Sequence, residues 1–165
     1  MTINVGDRVP EATLTESTQF GDACPVSPEP KSVSAELKGK RVVIFGLPGA
    51  YTPTCSAKHV PSYMEHLPEL KAKKVDEVWC VSVNDGYVMA AWGREQNAIG
   101  KIRMLGDGSG DFARKLGLEV EIPNMGLRMR RFSMLVDDGV VKVLNLEAPG
   151  KFEVSGAEKM LTQLG

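Results

Sequence analysis

No stretch of this sequence is apolar for long enough to cross a bilayer. The longest apolar runs, such as Arg41-Val-Val-Ile-Phe-Gly46, are strand-sized, far below the roughly 18–20 residues a spanning helix needs. Charge of one sign is also missing: 20 Lys and Arg stand against 21 Asp and Glu, so there is no positive field to hold a phosphate backbone. Neither membrane nor nucleic acid is an expected partner. Cysteine is scarce. Cys24, Cys55 and Cys80 are an odd number with no C-x-x-C pair, which speaks against a secreted disulfide framework and a dithiol reductase and suits a reducing compartment. Met1 to Asp7 has neither a basic stretch followed by an apolar one nor an Arg-rich, acid-poor character, so a cytoplasmic location is expected.

What is present is the composition of an ordinary globular chain, 42% apolar and 25% charged over 165 residues, enough for one full core and too little for two ordinary ones. One domain spanning 1–165 is therefore expected. After an N-terminal segment with some alternation, Phe20 to Pro30 packs breaker residues together and predicts a loop outside the main body. Arg41 to Gly46, bounded by Gly and Pro, predicts a strand buried on both faces of a mostly parallel sheet. Thr52-Pro53 predicts a helix start, with Pro61 and Pro68 bending or ending the helix that follows. Strands are predicted over Glu77–Val83 and Ile102–Leu105, with helices over Tyr87–Ala98 and Phe112–Leu116. Arg131–Val136 and Val140–Leu146 predict a hairpin turning at Asp137-Asp-Gly139, before a last helix over Val154–Leu164. The alternation predicts an α/β chain of thioredoxin-like layout: a central mixed β-sheet, helices on both faces and an N-terminal extension. Topology alone assigns no activity.

Chemistry concentrates in Pro48-Gly-Ala-Tyr-Thr52-Pro-Thr-Cys55. The thiolate, not the thiol, is the nucleophile, and the first-turn N–H groups and helix dipole favour negative charge where Cys55 is predicted to sit. Thr52, three residues earlier, is placed to cap the helix and bring its hydroxyl beside the sulfur; Pro48 would shape the loop and shield it. The plain alternative is a capped helix with a buried cysteine in its first turn. His59, one helical turn on, could face the same side and add positive charge, or be a partly exposed helix histidine with no role. A metal site from Cys55, His59 and His66 is not expected, because Pro61 interrupts the helix that would present them. Gly106 to Gly110 lacks the spacing of a phosphate cradle and predicts a turn in which Ser109 or a neighbour caps a helix.

Pro48-x-x-x-Thr52-x-x-Cys55 resembles the active-site motif of peroxiredoxins, and Gly49 to Pro61 is similar to the type II, or peroxiredoxin-five, subfamily. The likeness continues through Cys80 to Asp85, Ala91-Trp-Gly93 and Arg130-Arg-Phe-Ser-Met134; only the N-terminal third is loosely matched. The resemblance implies a thiol peroxidase; with no converging ligand set, no metal and no cofactor are expected. In it the cysteine matching Cys55 takes oxygen from hydrogen peroxide or an organic hydroperoxide and becomes a sulfenic acid. The positions matching Thr52 and Arg131 hold the peroxide oxygens, and Pro48 limits solvent access. Arg128, Arg130 and Arg131 compete by position alone; the Arg-Phe-Ser match favours Arg131. A homodimer with contacts near the active-site loops, including Tyr51, is also implied.

The sulfenic acid must then meet a thiol before a second peroxide does. Cys80 lies 25 positions after Cys55, a separation similar to plant-type members in which that cysteine has been considered a resolving partner. Strand alternation, however, puts Cys80 inside a run covered on both sides, where bonding to Cys55 would require the helix end to unwind. The late resolving cysteine of animal-type members is absent, and Cys24 has no part in the motif. Reduction by glutathione with glutaredoxin, or by thioredoxin, is therefore expected. A redox sensor using the same Cys55 is the alternative class, distinguished by consuming about one peroxide per chain rather than many.

Overall fold

Arg41–Gly46 forms the strand its apolar run predicts, and a computed structural model, which describes all 165 residues, places it in a seven-stranded sheet. In chain order the strands are β1 (Thr13–Glu16), β2 (Glu29–Ser32), β3 (Arg41–Gly46), β4 (Glu77–Ser82) and β5 (Arg103–Gly106). There follow β6 (Glu119–Ile122) and β7 (Gly126–Met129), which pair only with each other, then β8 (Phe132–Asp137) and β9 (Val140–Leu146). The sheet order is β2-β1-β5-β4-β3-β8-β9. Only β3–β4 and β4–β5 are parallel, so the sheet is mixed rather than mostly parallel, with antiparallel strands on both flanks. The β8–β9 hairpin turns at Asp138 and Gly139, both with positive φ (47° and 82°), as the tight turn compatible with strand twist requires.

Side-chain alternation along the central strands divides the interior in two. Val42, Ile44, Trp79 and Val81 point into one core with α1 (Val33–Leu37) and α5 (Asp111–Leu116). Val43, Phe45, Val78 and Cys80 point into the other, covered by α2 (Val60–Glu65), α3 (Leu67–Ala72), α4 (Gly86–Glu95) and α6 (Ala157–Gln163). Cys55 lies in this second core. Each fully buried large aliphatic or aromatic side chain contributes about 1.5–3 kcal/mol, which explains why a sheet apolar on both faces carries helices on both.

The N-terminal extension joins the sheet. β1 pairs with β5 at Thr15–Gly106 and β2 closes the edge, so the predicted loop ends at Pro28 and Glu29-Pro30 belongs to a strand. Arg103 ties this part down, donating to Glu16 (2.7 Å), Glu36 and Glu77 (3.2 Å). Strands of only four residues, one of them, β2, an edge strand that carries Pro30, give little periodic signal.

The helix bearing Cys55 starts at Pro53, as expected. Cys55–His59 then winds as a π-turn, with Val60 N–H donating to the Cys55 carbonyl, and only afterwards does α2 begin. Pro61 has no N–H to give, and its ring would press on the carbonyl four residues back in a regular α-helix; the wider turn relieves that clash. His66 (φ −106°, ψ 14°) breaks the helix before α3, which is the predicted bend. At the C-terminus, α6 starts at Ala157 rather than Val154, because residues 153–155 have another use.

Candidate active site

β3 delivers the chain to the site. Gly46, its last residue, faces Phe132 so closely that a Cβ would sit 2.2 Å from the ring, so only glycine fits and the loop 47–52 lies directly against the start of β8. That loop is pinned at several points. Ala50 N–H donates to Asn84 Oδ1 (3.0 Å), Arg128 Nη1 donates to the Pro48 carbonyl (3.2 Å), and Tyr51 holds a left-handed backbone (φ 63°). Such a conformation is strained for a non-glycine residue, by about 1–3 kcal/mol. Cys55 follows in the first turn of the helix, 0% exposed.

The register of β8 against β3 pairs Phe132 with Gly46, and this puts the preceding residue, Arg131, beside the sulfur. Its Nη2 donates to Cys55 Sγ at 3.2 Å, and its Nη1 donates to His59 Nδ1 at 2.8 Å. Arg128 instead holds Pro48, and Arg130 reaches the Glu147 carbonyl at 3.5 Å, so of the three arginines only Arg131 meets the thiol.

His59 faces the same side as Cys55 but does not add charge. It is 0% exposed, not partly exposed as the helix position suggested. Burial and the Arg131 guanidinium push it down to about 3, so the ring is neutral. With Nδ1 accepting from Arg131, Nε2 carries the proton and donates to the Ser155 carbonyl (3.1 Å). Tyr63 Oη donates to the same carbonyl at 2.9 Å, and the rings of His59, Tyr63 and Phe45 pack together.

Glu147, which no motif in the sequence marks, fixes that carbonyl. Its Oε2 accepts from the N–H groups of Glu153, Val154 and Ser155 (2.8 Å each) and from the Ser155 hydroxyl (2.7 Å). Its own N–H donates to the Arg131 carbonyl at 3.0 Å. Burial acts to raise this carboxyl, and the hydrogen bonds from Ser155, Val154 and Glu153 outweigh it, so it lies below its usual range. The resulting stabilisation is complete above the unfolded carboxyl's value of about 4.3 and is lost as pH falls through the folded one. Glu147→Gln is expected to cost about 2 kcal/mol at neutral pH and to flatten the decline of stability on acidification below about pH 4, both read by urea unfolding. An unchanged acid limb would contradict this assignment.

Thr52 sits just before the helix, and its carbonyl accepts the first helical bond from Ser56 N–H (3.0 Å). Its hydroxyl does not cap: it donates to the Gly49 carbonyl at 2.7 Å, leaving its lone pairs free to accept. Pro48 is half-buried and lines, with Thr54 and Arg131, a cavity next to the site. His66 is bound to Glu69 (2.6 Å) on another part of the surface, so the three side chains weighed as metal ligands do not converge. At Gly106–Gly110 the cap comes from Asp107, whose carboxylate accepts from Phe112 and Ala113 N–H (3.1 and 2.9 Å), while Ser109 makes only a 3.4 Å contact with Asp111 N–H.

Comparison with known proteins gives the family. The Redoxin family matches residues 4–161. Peroxiredoxin-2B of Arabidopsis thaliana is 45% identical over 167 residues, covering 98% of both chains. The structure of reduced Prx3 in complex with H2O2 from Vibrio vulnificus aligns with a TM-score of 0.90 at 45% identity, over 99% of this chain and 100% of that one. The chain belongs to the peroxiredoxin family.

It is a type II peroxiredoxin of thioredoxin-like fold and a thiol peroxidase. A Burkholderia cenocepacia structure provisionally described as a thioredoxin reductase also aligns, with a TM-score of 0.95 and 52% identity over 100% of this chain and 99% of that one; this chain has no C-x-x-C pair. In this peroxiredoxin Cys80 is 0% exposed and shares the core that holds Cys55. Burial and the nearby Cys55 sulfur push its thiol up, against a smaller opposing effect of Arg131. All three cysteines are free, and Cys24 is exposed.

Proposed function

We propose that Cys55 is the residue that reduces the hydroperoxide, with Arg131 and Thr52 acting on the peroxide and His59 and Glu147 as positioning residues. The anionic sulfur attacks the terminal oxygen; the S–O bond forms as the O–O bond breaks, and the electron pair of that bond leaves on the second oxygen. A proton from water completes water or an alcohol, and Cys55 is left as the sulfenic acid. Arg131 stabilises both the anionic sulfur and the charge that spreads over the breaking bond. Thr52, whose hydroxyl donates to the Gly49 carbonyl, can accept the peroxide O–H on its oxygen and orient it. The neutral His59 aims the guanidinium. The observation that carries this reading is the double contact of Arg131, to Cys55 Sγ at 3.2 Å and His59 Nδ1 at 2.8 Å. Hydrogen peroxide and organic hydroperoxides both fit the chemistry.

An outside thiol regenerates the enzyme: glutathione with glutaredoxin, or thioredoxin. It attacks the sulfenic sulfur, releasing water and forming a mixed disulfide that a second thiol cleaves. The burial of Cys80 supports a structural rather than resolving role, since a protonated, enclosed thiol is a poor nucleophile. Cys80→Ser is therefore expected to keep most of its multiple turnover, within about twofold, in a coupled assay with each reductant; near-complete loss with both would reinstate Cys80 as the resolving thiol. Three unpaired cysteines suit a reducing compartment such as the cytoplasm. The exposed side chains of Tyr51, in the Cys55 loop, and Tyr87, in α4, support a homodimer formed there.

A further inference from the structure

Next to Arg131 and the loop that leads to Cys55 lies a cavity of about 300 Å³, larger than hydrogen peroxide needs. Pro48, Thr54 and Arg131 line it, and Val120 and Ile122, alternate residues of β6, with Pro149 give it apolar surface. Arg130 and Lys151 also line it. Neither makes an ion pair, in a chain whose net charge is −1. The only acidic side chain at the cavity, Glu147, is 4% exposed, and the carboxylate oxygen that bonds residues 153–155 faces that loop. The cavity thus has an apolar wall, includes Arg131, whose Nη2 contacts Cys55 Sγ, and carries Arg130 and Lys151, two cations without an ion pair, against the single carboxylate of Glu147.

Building on the peroxidase reading, we propose that this cavity seats the body of an organic hydroperoxide bearing a carboxylate, with the chain against Val120, Ile122 and Pro149 and the carboxylate on Arg130 and Lys151. Taking about 30 Å³ per water-sized group, the space holds on the order of ten non-hydrogen atoms, so the preferred substrates are oxidised acids of short to medium chain. Glutathione, which also carries carboxylates, is too polar to gain from the apolar wall. Hydrogen peroxide fills only a small part of the cavity. No new bond chemistry is involved: the transfer of oxygen to Cys55 is the same, and the cavity acts on which hydroperoxide arrives and how it is held.

The test compares kcat/KM for an alkyl hydroperoxide of about eight carbons with that of its ω-carboxylate, in the intact protein, in Lys151→Glu and in Lys151→Arg. The intact protein is expected to favour the carboxylate by about fivefold or more at low salt. The preference should shrink as salt is added, vanish or invert in Lys151→Glu, and persist in Lys151→Arg. A ratio near one in the intact protein, or one unmoved by charge reversal, would overturn the proposal while hydrogen peroxide turnover left the peroxidase reading standing. Loss of turnover with every peroxide, including hydrogen peroxide, would overturn both. If Lys151→Glu left the ratio intact and slowed only the attack of glutathione on the sulfenic acid, the cavity would serve the reductant, and the proposal would also fall.

Discussion

Cys55→Ser is expected to bring peroxide consumption down to background, a loss of at least about 10³-fold, with the fold intact. A serine oxygen at this place would still receive the Arg131 N–H that now meets the sulfur at 3.2 Å, so the buried site stays hydrogen-bonded and the exchange is nearly neutral for packing. What it lacks is a base. The only imidazole nearby, His59, has Nδ1 filled by Arg131 and Nε2 committed to the Ser155 carbonyl, so nothing can take the hydroxyl proton, and a neutral alcohol does not attack an O–O bond at a useful rate. The measurement is peroxide loss with saturating thiol, together with urea unfolding to check the fold. Cys24→Ser, which alters an exposed thiol away from the motif, serves as the comparison and should keep its activity.

The second large effect belongs to Arg131. Removing one preorganised donor at a site of developing charge typically lowers the rate about 10²–10³-fold, or ~2.7–4 kcal/mol, and Arg131→Gln is expected to fall in that range. Two contributions add: the anionic sulfur loses its cation, and the breaking O–O bond loses the group that faces it. Arg131→Lys should recover only part, because one ammonium cannot span the sulfur and the imidazole as the fork of the guanidinium does. The quantity to measure is the second-order rate of a single oxidation by hydrogen peroxide, which separates this step from re-reduction. A change confined to the reductant-dependent step would contradict this role for Arg131.

The parts of this molecule visible in its sequence are those whose physics is local. The apolar run of β3, the Thr52-Pro53 helix start, the Asp138-Gly139 turn and the placing of Cys55 at the head of a helix all depend on neighbours within a few positions. Choosing Arg131 over Arg128 and Arg130 needed the likeness of Arg-Phe-Ser to a known motif, because its partner Cys55 lies 76 positions away and the choice is made by the register of β8 on β3. His59 shows the limit of spacing arguments. Its side of the helix was legible, but its charge was not, because burial under Phe45, Tyr63 and Phe152 is a property of the folded core. Glu147 looks in sequence like any carboxylate after a strand, and its importance arises only when residues 153–155 fold around it. The same holds for the N-terminal strands, whose place at the β5 edge depends on Arg103 meeting Glu16 and Glu36.

The central claim, that one sulfur in this chain is oxidised by peroxide because of the groups held around it, is tested most directly by trapping the oxidised state. Reduced protein is mixed briefly with less than one equivalent of hydrogen peroxide, dimedone is added to capture sulfenic acid, and the labelled residue is located by peptide mass spectrometry. Label on Cys55, unchanged when Cys24 and Cys80 are both replaced by Ser and strongly reduced in Arg131→Gln, is the predicted result. Label on Cys24 or Cys80 with Cys55 left as a thiol would contradict it.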